Sequence, residues 1–208
     1  SSLAQDDNIK LKSFLYNYFT NYIIVHNQYS FQKINEIIFS SKKVNIIKHG
    51  NYSNFINQGI TTNSAKEKLG LLKERKYILF FGQIKKAKKL DVLIEAMSLL
   101  KDNTSAKLII AGKPWKDTFE KYENQIKKLN IEKKIIKYIR FITDEEREYF
   151  MKACDIMVLP YEEVYQSGVL LMGMTYGQAI IVSDLQSFKE VITHRQNGMI
   201  FKSKDSRD

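Results

Sequence analysis

From Lys76 onward, short apolar runs alternate with stretches whose apolar residues recur at helical spacing, and three of the runs stop at a glycine or a proline. Tyr77 to Phe81 (YILFF) ends at Gly82, Lys107 to Ala111 (KLIIA) at Gly112, and Asp155 to Leu159 (DIMVL) at Pro160. Runs this short and this apolar suit strands buried on both faces, as in a parallel sheet covered by helices. Ile135 to Phe141, Ala179 to Ser183 (AIIVS) and Met199 to Phe201 read as further strands. Between them, Leu90 to Leu100 places Leu93, Met97 and Leu100 on one face, and Asp117 to Leu129 does the same with Phe119, Tyr122, Ile126 and Leu129. Thr143 with Glu146 forms a capping box opening a third helix. Gly168 to Tyr176 and Phe188 to Ile192 supply two more. This order predicts an α/β fold, a doubly wound parallel sheet of Rossmann-like kind.

The first 50 residues are less regular, with strands expected at Tyr22 to Val25 and Val44 to Ile47 and a helix from Ser30 between them. Residues 51–75 are polar, contain Gly59 and read as a linker, which leaves 76–208 as the main domain.

Function classes narrow next. The chain carries a formal charge of +10, so an anionic partner is expected: a nucleic acid, an anionic membrane surface or a phosphorylated small molecule. No apolar run reaches the roughly 20 residues that span a bilayer. Ser1 to Asn8 lacks the positive start and apolar stretch of a signal peptide, and the lone Cys154 excludes an internal disulfide framework. A cytoplasmic protein is the expectation. His26, His49 and His194 are too dispersed in sequence to suggest a metal site. Neither a G-x-G-x-x-G after the first strand nor a Walker A lysine motif occurs, which weakens dinucleotide and P-loop readings.

Ligands of doubly wound sheets bind at the carboxyl ends of the strands. That rule selects the loops Gly82 to Leu90, Gly112 to Lys116, Phe141 to Asp144 and Pro160 to Val169. In the first, FFGQIKKAKKLD brings Lys85 and Lys88 over the strand ends, where ammonium groups suit a diphosphate. In the last, Ser167-Gly168-Val169 opens a helix whose N–H groups can approach a phosphate, and Glu162 and Glu163 precede it.

Together these loops resemble glycosyltransferase family 4, the large retaining group with the GT-B fold. Its C-terminal half carries G-R-x-x-x-x-K-G, a strand ending in A-G, D-x-x-x-x-P-S-x-x-E-G-F-G-x-x-x-x-E-A-M-A-x-G-x-P-V-V-A-S-D, G-G-x-x-E-x-I and N-G-x-x-F. Here these run as GQIKKAKK, LIIAG, DIMVLPYEEVYQSGVLLMGMTYGQAIIVSD, FKEVI and NGMIF. IIVHNQYS and IIKHGNY resemble the close of the N-terminal, acceptor-binding domain and the crossover, so residues 1–50 would be a fragment of that domain and 76–208 the nucleotide-sugar-binding domain.

The resemblance implies transfer of a sugar from a nucleotide diphosphate sugar, with UDP the expected nucleotide, to an acceptor with retention. It implies no separate cofactor and no metal, and no Asp-x-Asp occurs to hold one. Donor-binding residues carried over are Gly82, Lys85, Lys88, Phe141, Ile142, Gln166, Ser167, Gly168 and Val169, with Lys88 and Glu163 as the catalytic candidates. The sequence departs from the motif at Val164 and Met172, where the family has glutamates, at Gln83 in place of arginine, and at Gln186-Ser187 in place of G-G. Some relatives carry Y-x-E-x-x-Q-S-G, matched by Tyr161, Glu163, Gln166, Ser167 and Gly168, which makes Glu163 the candidate for the displaced acid. The breadth of the family suggests a lipid-linked glycan acceptor of bacterial surface polysaccharide (O-antigen or capsule) synthesis, at the inner face of the membrane, with no nucleic-acid partner. A non-catalytic relative and a basic nucleic-acid-binding α/β domain stay open as alternatives.

Overall fold

The computed structural model describes residues 11, 14, 15, 17–38, 43–100 and 105–207. The N-terminal part holds a small parallel pair, β1 (Ile23–Val25) and β2 (Val44–Ile46), joined through α1 (Gln28–Asn35). Asn27 caps α1, its side chain accepting from the Ser30 N–H. The helix therefore begins at Gln28, two residues before the expected Ser30.

The main sheet contains β3 (Tyr77–Phe81), β4 (Lys107–Ala111), β5 (Ile135–Tyr138), β6 (Ile156–Leu159), β7 (Ala179–Ser183) and β8 (Met199–Phe201). They lie in the order β5-β4-β3-β6-β7-β8, and every pairing is parallel. This is the doubly wound order: the chain works outward from β3 in one direction, then returns to start again at β6. The connecting helices are α3 (Leu90–Leu99), α4 (Glu120–Lys128), α5 (Asp144–Ala153), α6 (Gly168–Thr175) and the short α7 (Gln186–Lys189). Thr143 and Glu146 do form the expected capping box at the start of α5.

Because successive strand residues point to opposite faces, the sheet divides its apolar side chains between two cores. Tyr77, Leu79 and Phe81 of β3 join Ile109, Met157, Leu159 and Phe150 on one face. Phe80 joins Leu108, Ile110 and Val158 on the other, against Leu90, Ile94 and Met97 of α3 and Ile126 of α4. Phe80, Leu79 and Ile110 are fully buried, and each such side chain contributes about 1.5–3 kcal/mol.

The stretch read as a linker is not one throughout. Residues 62–68 form a further helix, α2 (Thr62–Lys68), fixed by a reciprocal cap between Thr61 and Ser64. Its Ala65, with Leu71 beyond it, is buried in the first core. Lys66 is buried too, yet satisfied: its ammonium donates to the carbonyls of Lys73 and Arg75 and lies 5.3 Å from the Tyr77 ring centroid. Among the described residues, no helix is long and apolar enough to cross a membrane.

Candidate donor-binding site

The winding reverses between β3 and β6, the place where ligands of doubly wound sheets bind, at the carboxyl ends of the strands. The loops that follow these two strands are the ones carrying Gly82 to Lys88 and Tyr161 to Ser167.

Gly82 has φ +92°, a conformation that glycine adopts without cost. Its backbone runs against Gly112: a Cβ on Gly112 would lie 1.9 Å from the Gly82 carbonyl oxygen. The two glycines at the ends of β3 and β4 let the loops touch backbone to backbone. Gly82 N donates to the Ala111 carbonyl (2.9 Å) and Gly112 N to that of Tyr138 (3.0 Å), so three strand ends are tied together.

Lys88 sits on the turn Lys86–Lys88 and folds back over this junction. A Cβ on Gly82 would meet the Lys88 ammonium at 3.1 Å and Val169 Cγ2 at 3.5 Å. Gly82, Lys88 and the first turn of α6 therefore converge, although 87 positions separate Gly82 from Val169. The ammonium also lies 5.1 Å from the centroid of the Tyr161 ring. It forms no ion pair among the described residues; its nearest acceptor is the Phe81 carbonyl at 3.5 Å. Burial pushes the Lys88 ammonium down to about 8, and the neighbouring positive charge of Lys85 adds to the effect. A desolvated cation with no carboxylate partner among the described residues, set against Gly82, is poised for an anionic ligand.

Ser167 caps α6, accepting from the Leu170 N–H at 3.2 Å. Gln166 and Ser167 border a second cavity of about 560 Å³, whose far wall is His26, Lys48 and His49 from the N-terminal part. Phe141 and Ile142, beyond β5, line a third space of about 420 Å³ with Gly82, Gln83, Gly112 and Trp115. Their loop is fastened by Arg140, which makes a two-pronged bond to Glu146 (2.7 and 2.6 Å) and donates to the Phe141 carbonyl. That pairing holds the Glu146 carboxyl at about 2.

Of the other candidates, Lys85 is exposed and its ammonium lies 5.2 Å from the Trp115 ring centroid. Glu163 is exposed and forms no ion pair among the described residues, whereas Glu162 is bound to Lys204 at 2.5 Å. Val164 packs on the first core and its carbonyl accepts from Ser187 Oγ, and Met172 is buried. The two positions where the family motif has glutamates thus face apolar surroundings.

Two features escaped the sequence. His26 and His49, dispersed along the chain, have ring centroids 5.6 Å apart, because they follow the adjacent ends of β1 and β2. Each Nδ1 lies at a backbone carbonyl, of Ile47 (2.8 Å) and of Gly50 (2.6 Å), so each donates there. Glu190, the late glutamate of FKEVI, accepts from the N–H groups of Gln28 (2.8 Å) and Tyr29 (2.5 Å) at the start of α1. Tyr165 stacks on Tyr29 beside it, and its carbonyl accepts from the Asn27 side chain. No group of three or more histidine, cysteine or acidic residues able to hold a metal ion occurs among the described residues.

A doubly wound parallel sheet, with the Lys88 ammonium at its switch point, defines a Rossmann-like α/β domain. The chain belongs to the glycosyl transferases group 1 family, whose sequence pattern matches residues 61–208. It is 29% identical over 136 residues to an uncharacterized glycosyltransferase of Methanocaldococcus jannaschii, MJ1607, covering 64% of this chain and 34% of that protein. Among solved structures it is similar to HepE of Anabaena in complex with UDP and glucose (TM-score 0.84, 18% identity, 97% of this chain, 54% of that one). It is also similar to WaaG, a glycosyltransferase involved in lipopolysaccharide biosynthesis (TM-score 0.75, 16% identity, 86% and 48%). The chain thus spans about a third of MJ1607 and about half of each of these structures.

Proposed function

We propose that this chain is the donor-binding half of a retaining glycosyltransferase of family 4, which takes a sugar from a nucleotide diphosphate sugar, UDP-linked, to a glycan acceptor. The observation that carries this reading is the Lys88 ammonium, desolvated and without an ion pair among the described residues, against Gly82 and the first turn of α6. In such a transfer the diphosphate leaves with charge that must be stabilised as the glycosidic bond breaks. A cation and N–H donors already in place do this without reorganisation. Lys88 would hold the diphosphate with Lys85, and the N–H groups of Gly168 and Val169, which follow the Ser167 cap, would complete the cradle. Phe141 and Ile142 would border the nucleoside. Gln166 lies toward the second cavity, where the sugar would extend, and Glu163 would supply the carboxylate missing at Val164 and Met172. The complexes of HepE with UDP and glucose and with UDP-glucose support this choice of donor.

Residues 1–50 would close an acceptor-binding half. The likeness to WaaG, involved in lipopolysaccharide biosynthesis, supports a role in surface polysaccharide synthesis; a lipid-linked acceptor at the inner face of the membrane would fit that role. Melting of the chain in the presence of UDP, GDP and ADP at millimolar concentration tests the donor assignment. UDP is expected to raise the melting temperature most. No rise with any of the three would refute a nucleotide-sugar site.

A further inference from the structure

Trp115 lies outside the motifs that mark this family, and its ring is the only tryptophan of the chain. It follows Pro114 in the loop after β4, with half of its surface exposed (49%). Phe141 stands on the same cavity, still more exposed (72%). Two large aromatic rings left open to solvent on one cavity of about 420 Å³ carry a hydrophobic cost that a flat ligand would remove.

The loop holding Trp115 is not loose. Ile84 N donates to the Lys113 carbonyl and Trp115 N to the Ile84 carbonyl, both at 3.0 Å, a bridge that ties the Gly82-to-Lys88 loop to the Trp115 loop. Ile84 itself is buried (3%), so the bridge is anchored in the core. Lys85, next in sequence, holds its ammonium over the Trp115 ring, 5.2 Å from the centroid. The cation therefore occupies an aromatic face that a base could take, while its own charge belongs with a diphosphate.

We propose that Trp115 is the stacking wall for the nucleobase of the donor, and that Lys85 covers its ring until a diphosphate draws the ammonium away. The inference rests on the donor-site reading above and adds to it a residue and an exchange of partners. One ligand satisfies both ends: its diphosphate takes Lys85, and its base takes the face that Lys85 leaves. On the ring face that Lys85 covers, cation–π contact and base stacking compete for the same surface.

The lone tryptophan makes the exchange measurable by its own fluorescence. Titration of the chain with UDP is expected to change the Trp115 emission in step with binding measured independently by calorimetry. Inorganic pyrophosphate, which can draw Lys85 from the ring but brings no base, is expected to give only the change due to loss of the cation, different from that of UDP. Trp115→Ala is expected to weaken UDP about tenfold, a typical loss for one stacked base, and Trp115→Phe to restore most of the affinity. If UDP binds the wild type and Trp115→Ala equally well, or pyrophosphate gives the same fluorescence change as UDP, the stacking role is overturned and the donor site stands. If UDP does not bind the wild type at all, both readings fall.

Discussion

The ammonium of Lys88 rests over the ring of Tyr161, 5.1 Å from its centroid, and no carboxylate among the described residues pairs with it. Burial sets its protonation near pH 8 in the free chain, against 10.5 in the unfolded one. Between these values the unfolded chain binds more protons, so Lys88 makes the free chain more stable as pH rises from about 8 toward 10.5. A bound diphosphate reverses the preference, because it interacts with the ammonium and not with the amine. UDP binding is therefore expected to take up protons above pH 8 and to weaken as pH rises further. Calorimetry at pH 8.5 in two buffers of different ionisation heat reads that uptake directly, and Lys88→Met is expected to abolish it.

Gly112 and Gly70 separate two costs of a side chain. Both have positive φ, but a Cβ on Gly70 meets nothing within 4 Å, whereas one on Gly112 meets the Gly82 carbonyl oxygen at 1.9 Å. Gly70→Ala is expected to cost about 1 kcal/mol of backbone strain, and Gly112→Ala on the order of 3 kcal/mol or more. Urea denaturation of the two variants gives the comparison. Gly112→Ala is also expected to lose UDP binding, since it forces apart the loops that hold Lys88 and Trp115.

In the complete enzyme, Glu163→Gln is expected to lower turnover by about 10²–10³-fold, the range for loss of one group that stabilises charge in the transition state, while nucleotide affinity changes little. Such a pattern marks an interaction made in the transition state. Glu162→Gln, whose partner is Lys204 at the surface, is expected to be mild. Steady-state kinetics of the two variants side by side decide the matter, and equal behaviour would remove Glu163 from the catalytic role.

Glu190 is the tie between α1 and the end of α7, through the N–H groups of Gln28 and Tyr29. A carboxylate at a helix start is worth about 0.3–1 kcal/mol when exposed, so Glu190→Ala is expected to leave global melting nearly unchanged. Its effect is local. Hydrogen exchange is expected to speed up at Gln28 and Tyr29 and to stay the same at Leu79 and Ile109 in the sheet.

What was legible in the sequence was what repeats locally. Strand runs such as YILFF and AIIVS have both faces buried and so show no polar alternation, and their bounds emerged residue for residue. The switch-point rule selects the loops of Lys88 and Ser167, and the structure brings Lys88 and Val169 together at Gly82. Residues 62–68 were missed because α2 is polar around most of its surface and buries only Ala65 and the stem of Lys66, leaving too thin a stripe to read. The pairing of His26 with His49 depends on β1 lying beside β2, and the contact of Lys85 with Trp115 on a bridge between two loops. Glu190 at the start of α1 depends on a contact across 162 positions. None of these leaves a periodic trace.

Lys88 at the switch point, with Lys85 beside it, and not the overall positive charge, is expected to hold the donor's diphosphate. Equilibrium dialysis of radiolabelled UDP against the wild type, Lys88→Ala and Lys133→Ala tests it. Lys133 lies exposed on the turn Glu132–Lys134, before β5 and away from the switch point. Loss of a charged hydrogen bond of about 1.5–3 kcal/mol predicts binding roughly 10–150-fold weaker for Lys88→Ala, with Lys133→Ala indistinguishable from the wild type. Equal weakening in the two variants, or none in Lys88→Ala, would contradict the account.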